Sequence, residues 1–437
     1  MEEGTTIMVS NPAIEEGRAD AATASPITAA PPAAGPPADE RLFTALIRYP
    51  QFRFLWSASL STQLGQWFQN VALGWLALEL TNSAGFVGKI GFASGVPILL
   101  LSLPAGVLLD RIDRRRALMA CQVVGAILAL VVAFINWRGL IAPWHLVLAA
   151  VVSGALLAVS QPATQTLVPA LVPRGDLPNA LALTSAGNSS TRIVGPSIAG
   201  LLIGVVGLAG CFVAQSGTLL GAAALTAFIR MPQGARAGAA IGGGLIEGLR
   251  LIRRDRTLTG LLLLGAAPAL LAYPYIQMLP VFVRDVLHLD ARGLGLILAV
   301  SGVGGLCGSL FVAKLNRHPN KGRLTVIMGV IYGFVLTAFT ISPWPILSAI
   351  ILAVSAFLGS AFYSGNQILV QTHVSEAIRG RVMGALALSF GLTPVGSLLI
   401  GELAQSFGAP LGVALGALGS SFCVAIVGWR YREILRL

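Results

Sequence analysis

The sequence predicts an all-α polytopic membrane protein, in which twelve transmembrane helices form two pseudo-symmetric halves of six helices each. Of the 437 residues, 55% are hydrophobic and only 11% are charged, which is too few polar groups to cover a soluble surface. At about 20 residues a span, the apolar residues suffice for about twelve helices. One long polar segment divides the apolar runs six and six, and short sequences recur in both halves.

The two ends of the chain are predicted to be tails outside the membrane. Residues 1–42 are rich in acids and contain prolines among alanines, and they lack the basic start and apolar core of a signal peptide. We therefore expect 1–42 to be a disordered cytoplasmic tail, since such a composition cannot bury a core. Residues 431–437 are predicted to form a second, short cytoplasmic tail.

Twelve apolar runs, separated by turn residues and charges, predict the membrane helices in chain order. They lie at 54–80, 86–109, 117–136, 144–167, 180–204, 210–229, 258–283, 293–313, 324–341, 345–370, 382–404 and 410–430. The N-terminal half is predicted to cover 43–230 and the C-terminal half 258–430. A linker at 231–257 joins them, and its basic, amphipathic end is expected to form a short helix on the inner membrane surface.

The basic residues predict the orientation. Only Lys89, Arg138, Arg284 and Arg292 of the 29 lysines and arginines fall in the loops on the outer side. Because cytoplasmic loops collect basic residues, we expect a multi-pass protein of the inner membrane with both termini in the cytoplasm. The positive charge therefore indicates topology in a lipid bilayer, and a nucleic-acid partner is excluded.

An internal repeat supports two related halves. Residues 165–172 resemble residues 367–374, and short matches after each of these strings occur in the same order in both halves. A parallel repeat of six and six helices is an architecture that moves around a central site.

Polar side chains inside the spans predict a central cavity. They concentrate on the first helix of each three-helix unit and are almost absent from helices three, six, nine and twelve, so helices one, four, seven and ten should line it. A cavity of amides and aromatic rings suits an uncharged or amphipathic solute, whereas the alternative is that the amides only hold helices together. The predicted cavity residues are Gln63, Gln66, Trp67, Asn70, Gln161, Gln165, Arg192, Tyr273, Gln277, Tyr363, Asn366 and Gln367.

Arg192 is a full charge at the middle of the fifth predicted span. An arginine at that depth costs at least ~2.5 kcal/mol, so it requires a partner or water. One interpretation is an anchor for an anionic substrate group or a counter-ion to a titrating acid. The other is a structural arginine bonded to carbonyls and amides such as Asn188.

Two motifs resemble those of the major facilitator superfamily. The turn after helix two carries Gly106, Asp110, Arg111, Asp113 and Arg114, similar to the family's glycine, acid and arginine loop, with Asp113 in place of a glycine. Helix five carries the second motif, similar to the glycine-proline motif of proton-driven exporters, with Ala199 in place of a glycine. Its residues are Gly195, Pro196, Ala199 and Gly200. Together with the 161–196 region, they resemble the branch of enterobactin-type siderophore exporters and macrolide efflux pumps.

The resemblance implies the major facilitator fold and alternating access, with efflux of a drug, siderophore or other metabolite driven by proton entry. One departure weakens the proton part, because the helix-four arginine that such exporters often carry has no match within 146–167. The loops of the two halves also predict two charge latches at a cytoplasmic gate, closed when the cavity opens outwards. One joins Asp110 to Arg379 or Arg381, and the other joins Asp176 to Lys314 or Arg317.

The leading hypothesis is a secondary-active exporter of a small amphipathic compound, coupled to protons and acting as a monomer. The first alternative is a symporter or facilitator that imports a metabolite, and a less favoured one is a membrane receptor or enzyme. The sequence shows no nucleophile, paired acids or metal ligands at a common depth, so no catalytic residue, metal or cofactor is predicted. The four cysteines stand singly inside apolar runs and are expected to be packing residues.

Overall fold

A computed structural model describes residues 43–109, 111–173, 175–230, 255–315, 320–374 and 391–437, and a few positions between 382 and 389. All regular structure in these ranges is helical. The predicted tail at 1–42 and nearly all of the predicted linker, with its basic helix, lie outside the described residues.

Twelve membrane helices follow one another in the predicted order. Those of the N-terminal half are α1 (Pro50–Thr81), α2 (Ala84–Leu109), α3 (Arg114–Trp137), α4 (Pro143–Leu171), α5 (177–206) and α6 (208–227). Those of the C-terminal half are α7 (Arg256–Val286), α8 (Ala291–Leu315), α9 (Lys321–Thr340), α10 (Pro345–His373), α11 (ending in Thr393–Phe407) and α12 (Ala409–Arg430). Short helices at Thr44–Arg48 and Arg432–Arg436 flank the bundle.

Nine segments of the described chain are long and apolar enough to cross a membrane. One of them, Leu177–Ala227, is two helices, because Gly207 has φ +73° and reverses the chain between α5 and α6. Helix α1 is not among the nine, although its 32 residues could span a bilayer, since its amides lower its mean hydropathy. The described part of α11 has only 15 residues. The prediction of twelve membrane helices is therefore confirmed.

Helix α7 differs from the straight rod predicted over 258–283. It ends its first segment at Leu271, turns through Ala272 to Pro274, and continues as Tyr275–Val281 and a wide turn, Phe282–Val286. Proline removes a backbone donor and bends a helix, so Pro268, Pro274 and Pro280 account for the break.

Three apolar cores show how the halves meet. The largest cluster joins residues of both halves, including Phe68 and Leu76 of α1 with Met278 of α7. The other two clusters each stay within one half, one around Phe52 and one around Phe362. We call the end that holds the shared cluster the closed end, and the end that holds the two separate clusters the open end.

Two glycine pairs bring the halves together at the closed end. A methyl group at Gly200 of α5 would lie 2.8 Å from Cα of Gly295 in α8, and one at Gly88 of α2 would lie 2.8 Å from Cα of Gly401 in α11. Real Cβ atoms do not come so close, so only glycine permits these crossings. The two crossings are equivalent under the six-plus-six repeat, as in membrane helices that associate through small residues.

The third helix of each unit exposes an apolar surface, as predicted. Ile127 of α3, Leu220 of α6, Phe334 of α9 and Phe422 of α12 are all exposed. In a membrane these faces contact lipid, because hydrocarbon accepts apolar side chains that water would reject.

Candidate functional site

Arg192 lies between the two halves. Its side chain is exposed, and its guanidinium group is within Coulombic range of the hydroxyl groups of Tyr273, Tyr275 and Tyr363. These tyrosines belong to α7 and α10 of the other half, so Arg192 lies at the boundary between the two halves. We call Arg192 and the three tyrosines the arginine-tyrosine cluster.

The cluster lies at one end of the contact between α5 and α8. A methyl group at Gly302 of α8 would lie 3.1 Å from the carbonyl oxygen of Arg192. Among the described glycines at which α5 meets α8, Gly302 is the one farthest from the closed end. Arg192 therefore lies at the open-end limit of the contact between α5 and α8.

Neighbouring polar groups bind the hydroxyls of Tyr275 and Tyr363. Tyr275 hydrogen-bonds with Ser301 of α8, and the amide of Gln367 donates a hydrogen bond of 2.8 Å to the hydroxyl of Tyr363. The ring of Tyr273 packs against that of Tyr332, with 5.9 Å between centroids. Tyr275 and the hydroxyl of Tyr273 are buried, so the half-buried Tyr363 is the more accessible tyrosine near the exposed guanidinium group. Ser301 was not predicted from the sequence, because a serine in an apolar span carries little signal.

Helix α1 docks on α5 beside the cluster. The amide of Gln63 donates to Asn188 and accepts a 3.2 Å hydrogen bond from the hydroxyl of Thr191. The ring of Trp67 closes on Gly195, where a methyl group would lie 2.7 Å from the ring. Gln63 and Trp67 therefore hold α1 against α5. Both were predicted to line the cavity, and in this conformation they join two helices instead.

The other predicted amides of α1 and α4 are more accessible. Gln66 is half-buried and Asn70 exposed, and neither makes a hydrogen bond to the described residues. Gln161 and Gln165 of α4 are both exposed. By contrast, Gln69 of α1, which was not predicted as a cavity residue, accepts a 2.8 Å hydrogen bond from Gln215 of α6.

Asn366 does not line the cavity in this conformation, so that prediction is corrected. Its side chain is fully buried, and its amide donates a 3.2 Å hydrogen bond to the carbonyl oxygen of Leu261, which joins α10 to α7. Gln277 of α7 is half-buried and packs against α2, since its Cγ lies 3.1 Å from the position of a methyl group on Gly91.

The helix-five motif lies at the junction of three helices. Gly195 contacts α1 through Trp67, while the carbonyl oxygen of Pro196 and the backbone of Gly200 contact Gly295 of α8. Ala199 and Pro196 are buried. The small residues therefore allow α5 to pack against its own half and the other half at once.

Basic side chains tie the halves together at the closed end. Arg284 of α7 donates to the carbonyl oxygen of Leu78, at 3.1 Å, and to the side chain of Asn82. Arg292 of α8 donates to the carbonyl oxygen of Gly204. Both accepting carbonyls belong to the last turns of N-half helices, where unpaired carbonyls and the helix dipole favour a cation.

Two further contacts complete the closed end. Lys89 of α2 forms a 3.2 Å ion pair with Glu402 of α11, and both side chains are about half exposed. Gln405 of α11 accepts hydrogen bonds from the hydroxyl of Ser83, at 2.9 Å, and the backbone of Gly85. Lys89, Arg284 and Arg292, three of the four basic residues predicted on the outer side, thus bridge the halves.

The open end shows a different pattern within the part of the chain that the structure describes. There, no hydrogen bond or ion pair joins the two halves. Asp176 accepts a hydrogen bond from the hydroxyl of Tyr49 and lies 3.6 Å from Arg48, both in its own half. His373 lies 3.1 Å from Asp255, also within one half.

The loop between α2 and α3 is held by its own residues. Asp113 caps α3 by accepting from the backbone of Arg115, at 2.9 Å, and of Arg116, at 3.2 Å. Arg111 is exposed and Arg114 half-buried. A methyl group at Gly106 would meet nothing within 4 Å, so this conformation does not require glycine there. Asp110, Arg317, Arg379, Arg381 and the Lys314 side chain lie outside the described residues, so both latches remain predictions.

Comparison with known proteins places the chain among transporters. The sequence pattern of the family described as "Transmembrane secretion effector" matches residues 43–433. The multidrug efflux pump Tap of Mycobacterium tuberculosis is 29% identical over 83% of this chain and 88% of its own. The enterobactin exporter EntS of Shigella boydii is 24% identical over 87% of this chain and 90% of its own.

A solved structure agrees with the fold. The inward-facing, unoccupied structure of a bacterial homologue of the human lysosomal transporter Spinster superposes with a TM-score of 0.72 at 16% identity, over 88% of this chain and 97% of that one. The family match and the two transporter relatives exclude the enzyme alternative. The chain is a multi-pass membrane transporter of the major facilitator superfamily and belongs to its transmembrane secretion effector family.

Proposed function

We propose that the protein is a secondary-active exporter, which carries a small amphipathic compound with an anionic group out of the cytoplasm by alternating access, against entering protons. The observation that carries this proposal is Arg192, an exposed cation on α5 at its contact with α8 and near three tyrosines of the other half. An exposed guanidinium near aromatic side chains suits a substrate with an anionic group and an apolar body.

The position of the basic loops supports the orientation. If both termini lie in the cytoplasm, as their charges indicate, the open end faces the cytoplasm and this conformation is the inward-facing one. A substrate would then reach Arg192 from the cytoplasm. Rocking of the halves would break the closed-end contacts and release the substrate outside.

The surroundings of Arg192 favour an anchor over a counter-ion. No carboxylate among the described residues forms an ion pair with it, and the described carboxylates all lie at or near helix ends, such as Glu79, Asp285 and Glu402. A deep arginine without an acidic partner is available to an anionic ligand. The names of the two relatives, an efflux pump and an exporter, support the outward direction.

The proton part of the proposal rests on the similarity of helix five to proton-driven exporters. Transport into inverted membrane vesicles tests it, with carboxyfluorescein as an amphipathic anion and an imposed pH gradient, acidic inside. We expect accumulation of the dye that depends on the gradient and is abolished by an uncoupler. Arg138→Gln should accumulate the dye like the wild type, because Arg138 is an exposed arginine just after α3 that stacks on Phe134.

A facilitator or symporter for a metabolite is the second candidate. The observation that favours it is the position of the described carboxylates near helix ends, since a proton carrier is normally an acid inside the membrane. Under this alternative the dye would equilibrate across the vesicle membrane without any response to the pH gradient, or would enter right-side-out vesicles with protons.

A further inference from the structure

A cavity lies at the open end of the N-terminal half, between the start of α1, the start of α3 and the end of α6. Its volume is about 530 Å³. Its lining residues are Gln51, Phe54, Arg115, Ala227, Phe228 and Arg230. It shares no lining residue with the arginine-tyrosine cluster, and the transport cycle proposed above does not use it.

Two guanidinium groups give the cavity its charge. Arg115 donates through Nε to the carbonyl oxygen of Thr226, at 3.1 Å, and through another nitrogen to that of Ala227, which fixes it at the end of α6. The backbone N–H of Arg230 donates a 2.7 Å hydrogen bond to Gln51, whereas its guanidinium makes no hydrogen bond or ion pair with any described residue. None of the six lining residues is acidic, so the cavity is cationic.

Aromatic rings form the membrane-facing side of the cavity. The rings of Phe54 and Phe228 lie 5.8 Å apart, and Phe228 is 64% exposed. Farther along the same helices, Ile127 of α3 and Leu220 of α6 expose aliphatic side chains to lipid. A cationic pocket thus adjoins an apolar wall at the level where the membrane helices begin and end.

We propose that this cavity binds the phosphodiester group of an anionic phospholipid, with Arg115 and Arg230 at the phosphate and an acyl chain along Phe54 and Phe228. Guanidinium groups match phosphate oxygens in geometry and charge. Basic pockets between helices at the cytoplasmic surface recognise lipid head groups. In the proposed orientation this is the inner leaflet.

Thermal unfolding of the detergent-purified full-length protein tests the site, with phosphatidylglycerol added in increasing amounts. Phosphatidylcholine serves as the zwitterionic lipid control. We expect phosphatidylglycerol to raise the unfolding temperature of the wild type, and Arg230→Gln to weaken this effect about fivefold in lipid concentration. Arg256→Gln is the matched control, since Arg256 is an exposed arginine at the same end of the bundle but outside the cavity. It should respond like the wild type.

Two results would overturn the proposal. An equal response of wild type and Arg230→Gln to phosphatidylglycerol would show that the lipid does not bind in this cavity. Equal stabilisation by inorganic phosphate and by phosphatidylglycerol would show a site for soluble anions and not for lipid. Phe228→Ala separates these sources further, because it should reduce the response to the lipid and leave the response to phosphate unchanged.

Discussion

The guanidinium of Arg284 donates a 3.1 Å hydrogen bond to the carbonyl oxygen of Leu78, so a C-half side chain caps the last turn of an N-half helix. Arg292 caps α5 in the same way through Gly204. Closure of this end therefore depends on polar contacts that form only when the two halves approach. Opening it costs these bonds, which makes them a reversible gate.

Replacing Arg284 should bias the protein towards opening at the closed end. Arg284→Gln loses the charged hydrogen bonds to Leu78 and Asn82, together worth about 1–2 kcal/mol at a partly exposed position. With spin labels on α1 and α7 at that end, electron paramagnetic resonance should show a larger population of long distances between the two labels. Arg138→Gln, which removes an exposed arginine at the same end, should leave the distances unchanged. A distribution identical to the wild type for Arg284→Gln would mean that the contact does not hold the gate.

The glycine crossings predict a steric test of the same interface. A methyl group at Gly200 would lie 2.6 Å from the carbonyl oxygen of Ala291, so Gly200→Ala must push α5 from α8. We expect a loss of about 1–3 kcal/mol of stability for the closed arrangement. Gly221→Ala on α6 is the control, because nothing lies within 4 Å of its added methyl group. The unfolding temperatures of Gly200→Ala and Gly221→Ala measure this loss. Equal unfolding temperatures would contradict the close packing of α5 against α8.

The amides of α1 should separate into transport and packing residues. Gln66→Leu should lower dye transport with little change in unfolding temperature, since Gln66 makes no hydrogen bond to the described residues. Gln69→Leu should lower stability by about 1–2 kcal/mol, because it leaves the buried amide of Gln215 unpaired. Measurements of dye transport and of thermal unfolding for both variants show which residue serves transport and which serves packing. The reverse pattern would exchange the two roles.

The C-terminal segment should stabilise the C-terminal half. Ile434 is fully buried in the core that includes Leu261 and Phe362, and a methyl group at Gly260 would meet its side chain. Ile434→Ala should cost about 2–4 kcal/mol, measured by thermal unfolding in detergent. The exposed Arg436 two residues later provides the control, and Arg436→Ala should unfold like the wild type. If both variants unfold alike, the segment does not anchor this half.

Much of the fold could be predicted because a bilayer imposes simple rules on composition. Twelve apolar runs, the break before α6 and the apolar faces of the third helices follow from spans that must be hydrophobic. Arg192 and the tyrosines were predicted as cavity residues since polar groups are costly in lipid, and the structure brings them together. The sequence did not reveal that Tyr273 and Tyr275 lie at a break in α7, around Pro274.

Other features depend on packing that no local pattern records. Asn366 was predicted to line the cavity, but it binds the carbonyl oxygen of Leu261, since a buried amide serves a neighbouring backbone as readily as a cavity. The gate role of Arg284 and Arg292 was missed, although a signal existed. They are two of the four basic residues on the predicted outer side, where arginines are rare and need a specific reason.

Transport of an anion and of a cation by the same vesicles tests whether Arg192 anchors an anionic group. Carboxyfluorescein and ethidium are measured side by side in wild type, Arg192→Lys and Arg192→Gln. If Arg192 anchors an anionic group, transport of carboxyfluorescein falls about tenfold or more in Arg192→Gln, and is partly kept in Arg192→Lys, which retains the charge. Ethidium transport does not fall. Equal loss of transport of both dyes in Arg192→Gln, or no loss of either, would show that Arg192 does not anchor an anionic group.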